Sequence, residues 1–145
     1  MDHDRYGLQV MRAARYATRV YNRHLAKVPL TASQHGILEQ IAQAAAISLQ
    51  DLADKLIVER SSLQRTLQPL IKTELVQTML DPLNKRRALF RLTENGKTVL
   101  ESSFALIRCA EEEIETLIGK PAIQIPCHES AVVGKTCAQR EHCAV

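Results

Sequence analysis

Apolar side chains recur in steps of three and four through the first third of the chain, the period of a helix with one buried face. Met11, Ala14, Ala17, Tyr21 and Leu25 form such a stripe and predict a helix from Tyr6 to about Ala26. Pro29 ends it, because the residue before a proline avoids helical backbone angles. Thr31 is placed to cap a second helix that buries Ile37, Leu38, Ile41 and Ala42 and fades in Ala44-Ala45-Ala46. Ser48 caps a short third helix with Leu49, Leu52, Ala53 and Leu56 inward. Asp51, three residues on, approximates a capping box and puts an acid in the first turn. A fourth helix starts near Glu59, with Leu63, Leu67, Leu70 and Ile71 inward and Ser61, Ser62, Gln64, Arg65 and Gln68 outward. Pro69 lies inside this stripe and removes a backbone donor, so a kink in the last turn is expected.

Beyond residue 74 the pattern shortens to strands. Leu75–Leu80 and Ala88–Leu92 read as a pair, the second alternating Ala88, Phe90 and Leu92 against Leu89 and Arg91. Asp81-Pro-Leu-Asn-Lys-Arg-Arg87 between them is a turn-rich basic loop. Thr93 caps a long last helix with Leu100, Phe104, Ile107, Ile114 and Ile118 inward and Glu111, Glu112 and Glu113 solvated; Gly119 and Pro121 end it. Cys109, mid-helix, reads as a small buried apolar side chain. Helix, turn, helix, basic hairpin and a new helix start make a winged helix-turn-helix, so the expected fold is mainly α with a small antiparallel β wing. From Lys120 to Val145 no period is visible.

Composition narrows the function without changing this outline. With 46% hydrophobic and 24% charged residues, 145 residues are enough for one globular domain with a real core. A net charge of +3 is too small for bulk attraction to polyanions, so a nucleic-acid reading rests on where the charge sits. Arg5, Arg12, Arg15, Arg19, Arg23 and Lys27 precede the first acid after them, Glu39. This basic helix either flanks DNA or decorates a dimer surface. Arg60, Arg65, Lys72, Lys85, Arg86, Arg87, Arg91 and Lys97 face only Glu74, Asp81 and Glu94 in the same stretch. No apolar run spans a bilayer, and Met1-Asp-His-Asp-Arg5 lacks the apolar core of a signal peptide, so a cytoplasmic protein with reduced cysteines is expected. An enzyme is not expected: no Ser/His/Asp order, inward carboxylate pair, His-Glu-x-x-His or phosphate-cradling glycine loop occurs.

Five segments, taken in order and spacing, resemble the MarR family of bacterial transcriptional regulators over roughly Tyr6 to Gly119. They are Leu30-Thr-Ala-Ser-Gln-His-Gly-Ile-Leu38, Leu49-Gln-Asp-Leu-Ala-Asp-Lys-Leu56, Glu59-Arg-Ser-Ser-Leu-Gln-Arg-Thr-Leu67, Asp81-Pro-Leu-Asn-Lys-Arg86 and Leu92-Thr-Glu-Asn-Gly96. The resemblance implies a homodimer closed by the first and last helices, and repression of nearby genes relieved by a small molecule or an oxidant. It divides the chain into a dimerisation helix (1–30), a winged helix-turn-helix region (31–97), a second dimerisation helix (98–119) and a Cys/His-containing tail (120–145). Three positions depart from the family pattern. Ile57 stands where glycine is usual in the turn before the recognition helix, and a β-branched residue disfavours the left-handed backbone, so another turn form is expected. Asn84 stands where the wing usually has a second aspartate, replacing an ion pair by a neutral hydrogen bond. The tail does not read as the family's closing helix.

Candidate contacts follow from chemistry. Arg65 can pair bidentately with guanine and Gln64 or Gln68 with adenine in the major groove, while Ser61 and Ser62 suit phosphate oxygens. Lys85, Arg86 and Arg87 form the wing's basic tip, and the resemblance assigns minor-groove reading to Arg86. Lys55 and Lys72 are further phosphate candidates. Tyr16, Tyr21, His24 and His35 either line an effector pocket between the dimer and DNA-binding parts or fill the core with a bonded polar tip. Cys127, His128, Cys137, His142 and Cys143 offer enough soft ligands for zinc or copper(I), or a disulfide switch, or form an incidental tail; no cofactor is otherwise required. The expected partner is double-stranded DNA with a near-palindromic operator, because paired recognition helices enter successive major grooves about one turn apart. The competing reading is a winged-helix protein-interaction module without specific DNA readout.

Overall fold

The computed structural model describes residues 5–119. Over that span the order is α1 (Tyr6–His24), a 3-10 turn (Leu25–Lys27), α2 (Ala32–Ala44), β1 (Ile47–Ser48), α3 (Leu49–Leu56), α4 (Arg60–Lys72), β2 (Val76–Leu80), β3 (Ala88–Leu92) and α5 (Glu94–Ile118). The mainly helical winged helix-turn-helix read from the sequence is the fold observed.

Each expected cap is present, and each satisfies a backbone donor that a helix start leaves open. Thr31 Oγ1 accepts from the Gln34 amide at 3.2 Å, and Gln34 Oε1 accepts from the Thr31 amide at 3.0 Å, a complete capping box. Ser48 Oγ accepts from the Asp51 amide at 3.2 Å, and Thr93 Oγ1 from the Gly96 amide at 2.9 Å. α4 runs through Pro69 to Lys72 without interruption. Pro69 sits in the final turn, where its carbonyl still accepts from the Thr73 amide and hydroxyl.

The sheet is three-stranded and antiparallel, in the order β1-β3-β2. Ile47 lies opposite Phe90 and Ser48 opposite Leu89, while Thr78 meets Phe90 from the other side. The third strand, β1, was not expected; two residues are too few to show an alternating period, and Ser48 serves both as strand and as cap.

The main core joins α2, α3, α4, the sheet and the start of α5 through Leu38, Ile41, Leu52, Leu67, Leu70, Val76 and Leu100. A smaller cluster of Val20, Ala110 and Ile114 holds α1 against α5. Here the expected stripes need correction. Met11 (51% exposed) and Ala14 lie outside, Leu25 is buried as expected, and Val20, which the stripe omitted, is buried too. On α5, Phe104 (46% exposed) and Ile118 lie outside, whereas Ser103 and Ala110 are buried, and Cys109 is exposed rather than a core residue. Close approach of two helices selects small side chains at the contact, and these carry a weak hydrophobic signature.

The end of α4 is fixed to the start of α5. Glu74 takes a left-handed backbone (φ 59°) to leave the helix, and the Leu75 amide donates back to the Leu70 carbonyl. The Thr93 amide and hydroxyl then donate to the Leu75 and Glu74 carbonyls at 3.1 and 2.6 Å. Gly96 packs so closely here that a Cβ would lie 2.0 Å from the Leu75 carbonyl oxygen. Gly96→Ala should therefore destabilise the chain by about 2 kcal/mol or more, read as a lower urea midpoint. An unchanged midpoint would refute the tight seam.

Candidate nucleic-acid interface

The turn between α3 and α4 decides how α4 is presented. Ile57 adopts the left-handed conformation (φ 54°, ψ 49°) despite its β-branch, so the alternative turn form expected from the sequence does not occur. Its amide donates to Asp54, and that of Val58 to Ala53, closing α3 as a glycine would. The side chain is 56% exposed, which leaves only the local backbone cost of about 1–2 kcal/mol.

Ser61, Ser62, Gln64, Arg65 and Gln68 are all exposed on the face of α4 opposite Leu63, Leu67 and Leu70. Their side chains make no hydrogen bond among the described residues. Arg60, exposed at the first position of α4, joins this face; the sequence reading passed over it, although a cation opening the outward stripe was a visible sign. Glu59 provides no side-chain cap, so the first-turn amides of α4 have no side-chain acceptor. Lys55 and Lys72 are exposed at the ends of α3 and α4.

The wing tip is a nested pair of turns. Asp81 Oδ1 accepts from the Leu83 amide at 2.9 Å, and Asn84 Oδ1 accepts from the Arg86 amide at 3.1 Å. The latter is the neutral hydrogen bond expected of Asn84. The Asn84 amide donates to the Asp81 carbonyl and the Arg87 amide to the Asn84 carbonyl, at 3.2 and 2.8 Å. The three basic residues then separate. Lys85 and Arg86 are exposed and make no side-chain bond among the described residues. Arg87 turns back to α3, its guanidinium donating to Ser48 Oγ at 2.8 Å and forming an ion pair with Asp51. Asp51 thus accepts from the hydroxyl of the Ser48 cap and also anchors the wing, and the second role has no local sequence signature.

The residues weighed for an effector pocket lie along α1, α2 and α5. Tyr16 is exposed. Tyr21 donates to Glu111, and burial together with that carboxylate pushes its hydroxyl pKa up. His24 Nε2 lies 2.8 Å from Glu113, which also pairs with Arg23; His24 and Arg23 hold the Glu113 carboxyl below the usual range. His35 is buried, bonded through Nδ1 to Ser103 Oγ at 2.9 Å and edge-on to Phe104. Burial lowers its pKa below 6.5. A cleft of about 640 Å³ lies elsewhere, between the end of α2, the sheet and the start of α5. Gln77 and Arg91 both line its wall. The tail candidates Cys127, His128, Cys137, His142 and Cys143 lie outside the described residues.

A family described as winged helix DNA-binding domain matches residues 30–96. The Escherichia coli multiple antibiotic resistance protein MarR is 32% identical over 89 residues, 61% of this chain and 62% of that protein. The match therefore spans less than two thirds of that relative. A solved structure of an E. coli MarR cysteine-to-serine mutant with operator DNA superposes with a TM-score of 0.72 at 27% identity, covering 77% of this chain and 80% of that one. The chain has the winged-helix fold and is similar to MarR over its helix-turn-helix and wing. The MarR type is not an enzyme family. Bordetella bronchiseptica BpsR, whose DNA binding is regulated by 6-hydroxynicotinic acid, shares the fold (TM-score 0.72, 79% and 81% covered) at 19% identity. Among the described residues, no helix is long and apolar enough to cross a membrane.

Ile57→Gly should raise stability by about 1 kcal/mol, because it relieves the left-handed strain and removes an exposed side chain; a lower urea midpoint would refute strain at this turn. Folding favours the neutral His35 ring, so the unfolded chain binds the extra proton first. Stability present at pH 7 is then lost as pH falls below 6.5. In His35→Gln the decline of the urea midpoint between pH 7 and 5.5 should be shallower than in the wild type, and an equal decline would rule out this ring as its source.

Proposed function

We propose that this protein is a dimeric, sequence-specific DNA-binding transcriptional regulator of the cytoplasm. The observation that carries the reading is the division of labour at the interface. Five uncommitted polar side chains on α4 and two uncommitted cations at the wing tip project from one frame, while the third wing cation is consumed in building that frame. In this reading α4 enters the major groove. Arg65 and Gln68 address base edges, and Ser61, Ser62, Gln64 and the uncapped amides address phosphates and neighbouring bases. Lys85 and Arg86 engage the backbone and minor groove beside it. Arg87 acts by positioning. The similarity to an E. coli MarR that was solved on operator DNA supports this assignment.

A dimer is supported by the apolar side chains that α1 and α5 leave in solvent, among them Leu8, Met11, Phe104, Leu117 and Ile118. A two-fold pair of this kind calls for a near-palindromic operator. Repression relieved by a small molecule or by oxidation is the regulatory mode we favour. E. coli MarR has been solved in reduced and oxidised forms, and such a signal acts to the extent that it binds or stabilises one arrangement of the lobes over the other.

Binding of the purified chain to its own promoter DNA tests the reading. Wild-type affinity should fall steeply as salt rises, because phosphate contacts release counterions. Arg86→Ala should weaken operator binding roughly tenfold or more without lowering the melting temperature. Arg65→Ala and Gln68→Ala should each also relax base preference at a definable position. Equal operator affinity in all three variants would reject the surface. Binding no tighter than to a random duplex would favour the protein-interaction module instead.

A further inference from the structure

Leu83 is the most exposed large apolar side chain among the described residues, at 97%. Isolated exposed leucines are common and need no explanation. This one differs in how it is held. Its amide is bonded to the Asp81 carboxylate, the following turn is closed by Asn84, and the Asp81 amide donates to the Arg87 carbonyl across the base of the loop. The hairpin stem below is paired from Leu80–Ala88 to Val76–Leu92, and Arg87 ties it to α3. An apolar side chain is thus presented at the end of a braced arm, three positions from Arg86 and two from Lys85.

We propose that Leu83 is a specificity-determining residue of the wing: it enters the minor groove beside Arg86 as an apolar wedge and selects A·T over G·C at the base pair it covers. The inference rests on the DNA-binding reading above. Its chemistry is that of the groove floor. At A·T pairs the floor carries only the adenine N3 and thymine O2 acceptors, whereas guanine adds a protruding N2 amino group. An apolar wedge can pack against the first floor, but at the second it meets that amino group and strips its water without offering an acceptor. Lys85 and Arg86 supply the attraction that brings the tip to the narrow groove, and this attraction reads its potential rather than its floor. The base discrimination therefore belongs to Leu83, and the affinity chiefly to its basic neighbours.

Inosine separates minor-groove from major-groove reading, because an I·C pair presents the major-groove face of G·C and lacks the N2 amino group. Hydroxyl-radical footprints of the wild type and of Arg86→Ala on the bound promoter fragment locate the base pairs beneath the wing. Replacing an A·T pair there by G·C should weaken wild-type binding roughly tenfold. Replacing it by I·C should leave affinity within about twofold of A·T. In Leu83→Ala the three duplexes should bind within about twofold of one another, with an unchanged melting temperature. Leu83→Met, which keeps an apolar wedge, should retain the discrimination. Discrimination that persists in Leu83→Ala, or a wild type that treats G·C and I·C alike, would overturn the proposal while leaving DNA binding intact. Failure of the wild type to prefer its promoter over a random duplex would overturn the functional reading, and this inference with it.

Discussion

The guanidinium of Arg87 closes on Asp51 and Ser48, and the relative placement of α4 and the wing depends on that contact. Under the proposed function, two reading elements are useful together only if their spacing is fixed. α3 leads directly into α4 through the Ile57 turn, so fastening the wing to the first turn of α3 fastens it to α4 as well. β1 contributes from the same place: Ile47 and Ser48 pair with Phe90 and Leu89 immediately before α3 begins. The ion pair is about half exposed on both sides (45% and 52%), and such pairs are worth less than about 1 kcal/mol. Its value is geometric, because one guanidinium nitrogen reaches both Ser48 and Asp51 and so fastens the wing's end of β3 to the first turn of α3.

The opposite end of the hairpin is held by backbone. The Thr93 and Gly96 contacts weld the base of β2 to α5, and α5 continues for 25 residues into the contact with α1. A wing anchored on α3 at one side and on α5 at the other cannot shift independently of either. The buried His35–Ser103 bond joins α2 to the same long helix. Any signal that changes the α1–α5 packing is thus delivered to the reading head through α5, and no separate hinge among the described residues is required. The coupling is bounded by the difference in interaction energy between the two arrangements.

Most of the fold was legible because the reading head is built from local rules. Caps at Thr31, Ser48 and Thr93, helical apolar stripes in α2, α3 and α4, and alternation in β3 each announce themselves within a few residues. The outward face of α4 followed from the inward one by subtraction. What was illegible depends on partners distant in sequence. Asp51 and Arg87 are 36 residues apart, and β1 exists only because β3 lies beside it. The α1–α5 seam was misread for a related reason: Val20 and Ala110 are buried where the two helices meet, whereas Met11 and Phe104 share the helical period but remain exposed. Ile57 misled in the other direction. Its intrinsic preference opposes the left-handed turn, yet the hydrogen bonds of the turn and the packing of the helices on either side outweigh a penalty of about 1–2 kcal/mol.

The balance between the two cores has a thermodynamic consequence. The main core interlocks residues from α2, α3, α4, the sheet and α5, and is closed within one chain. The second contains only Val20, Ala110 and Ile114 as buried members, although it must hold a 19-residue helix against a 25-residue one. The ion pairs beside it, Arg23 and His24 with Glu113, lie near the surface and add little. Three buried side chains make a thin contact for helices of this length. Under the dimeric reading a second copy adds to this contact and covers Leu8, Met11, Phe104 and Ile118. Stability of the α1–α5 lobe then becomes linked to protomer concentration, while that of the reading head does not. Under the same reading, a regulatory signal directed at the α1–α5 lobe would meet the part of the molecule least secured by its own chain, which is where a modest binding energy has the most leverage.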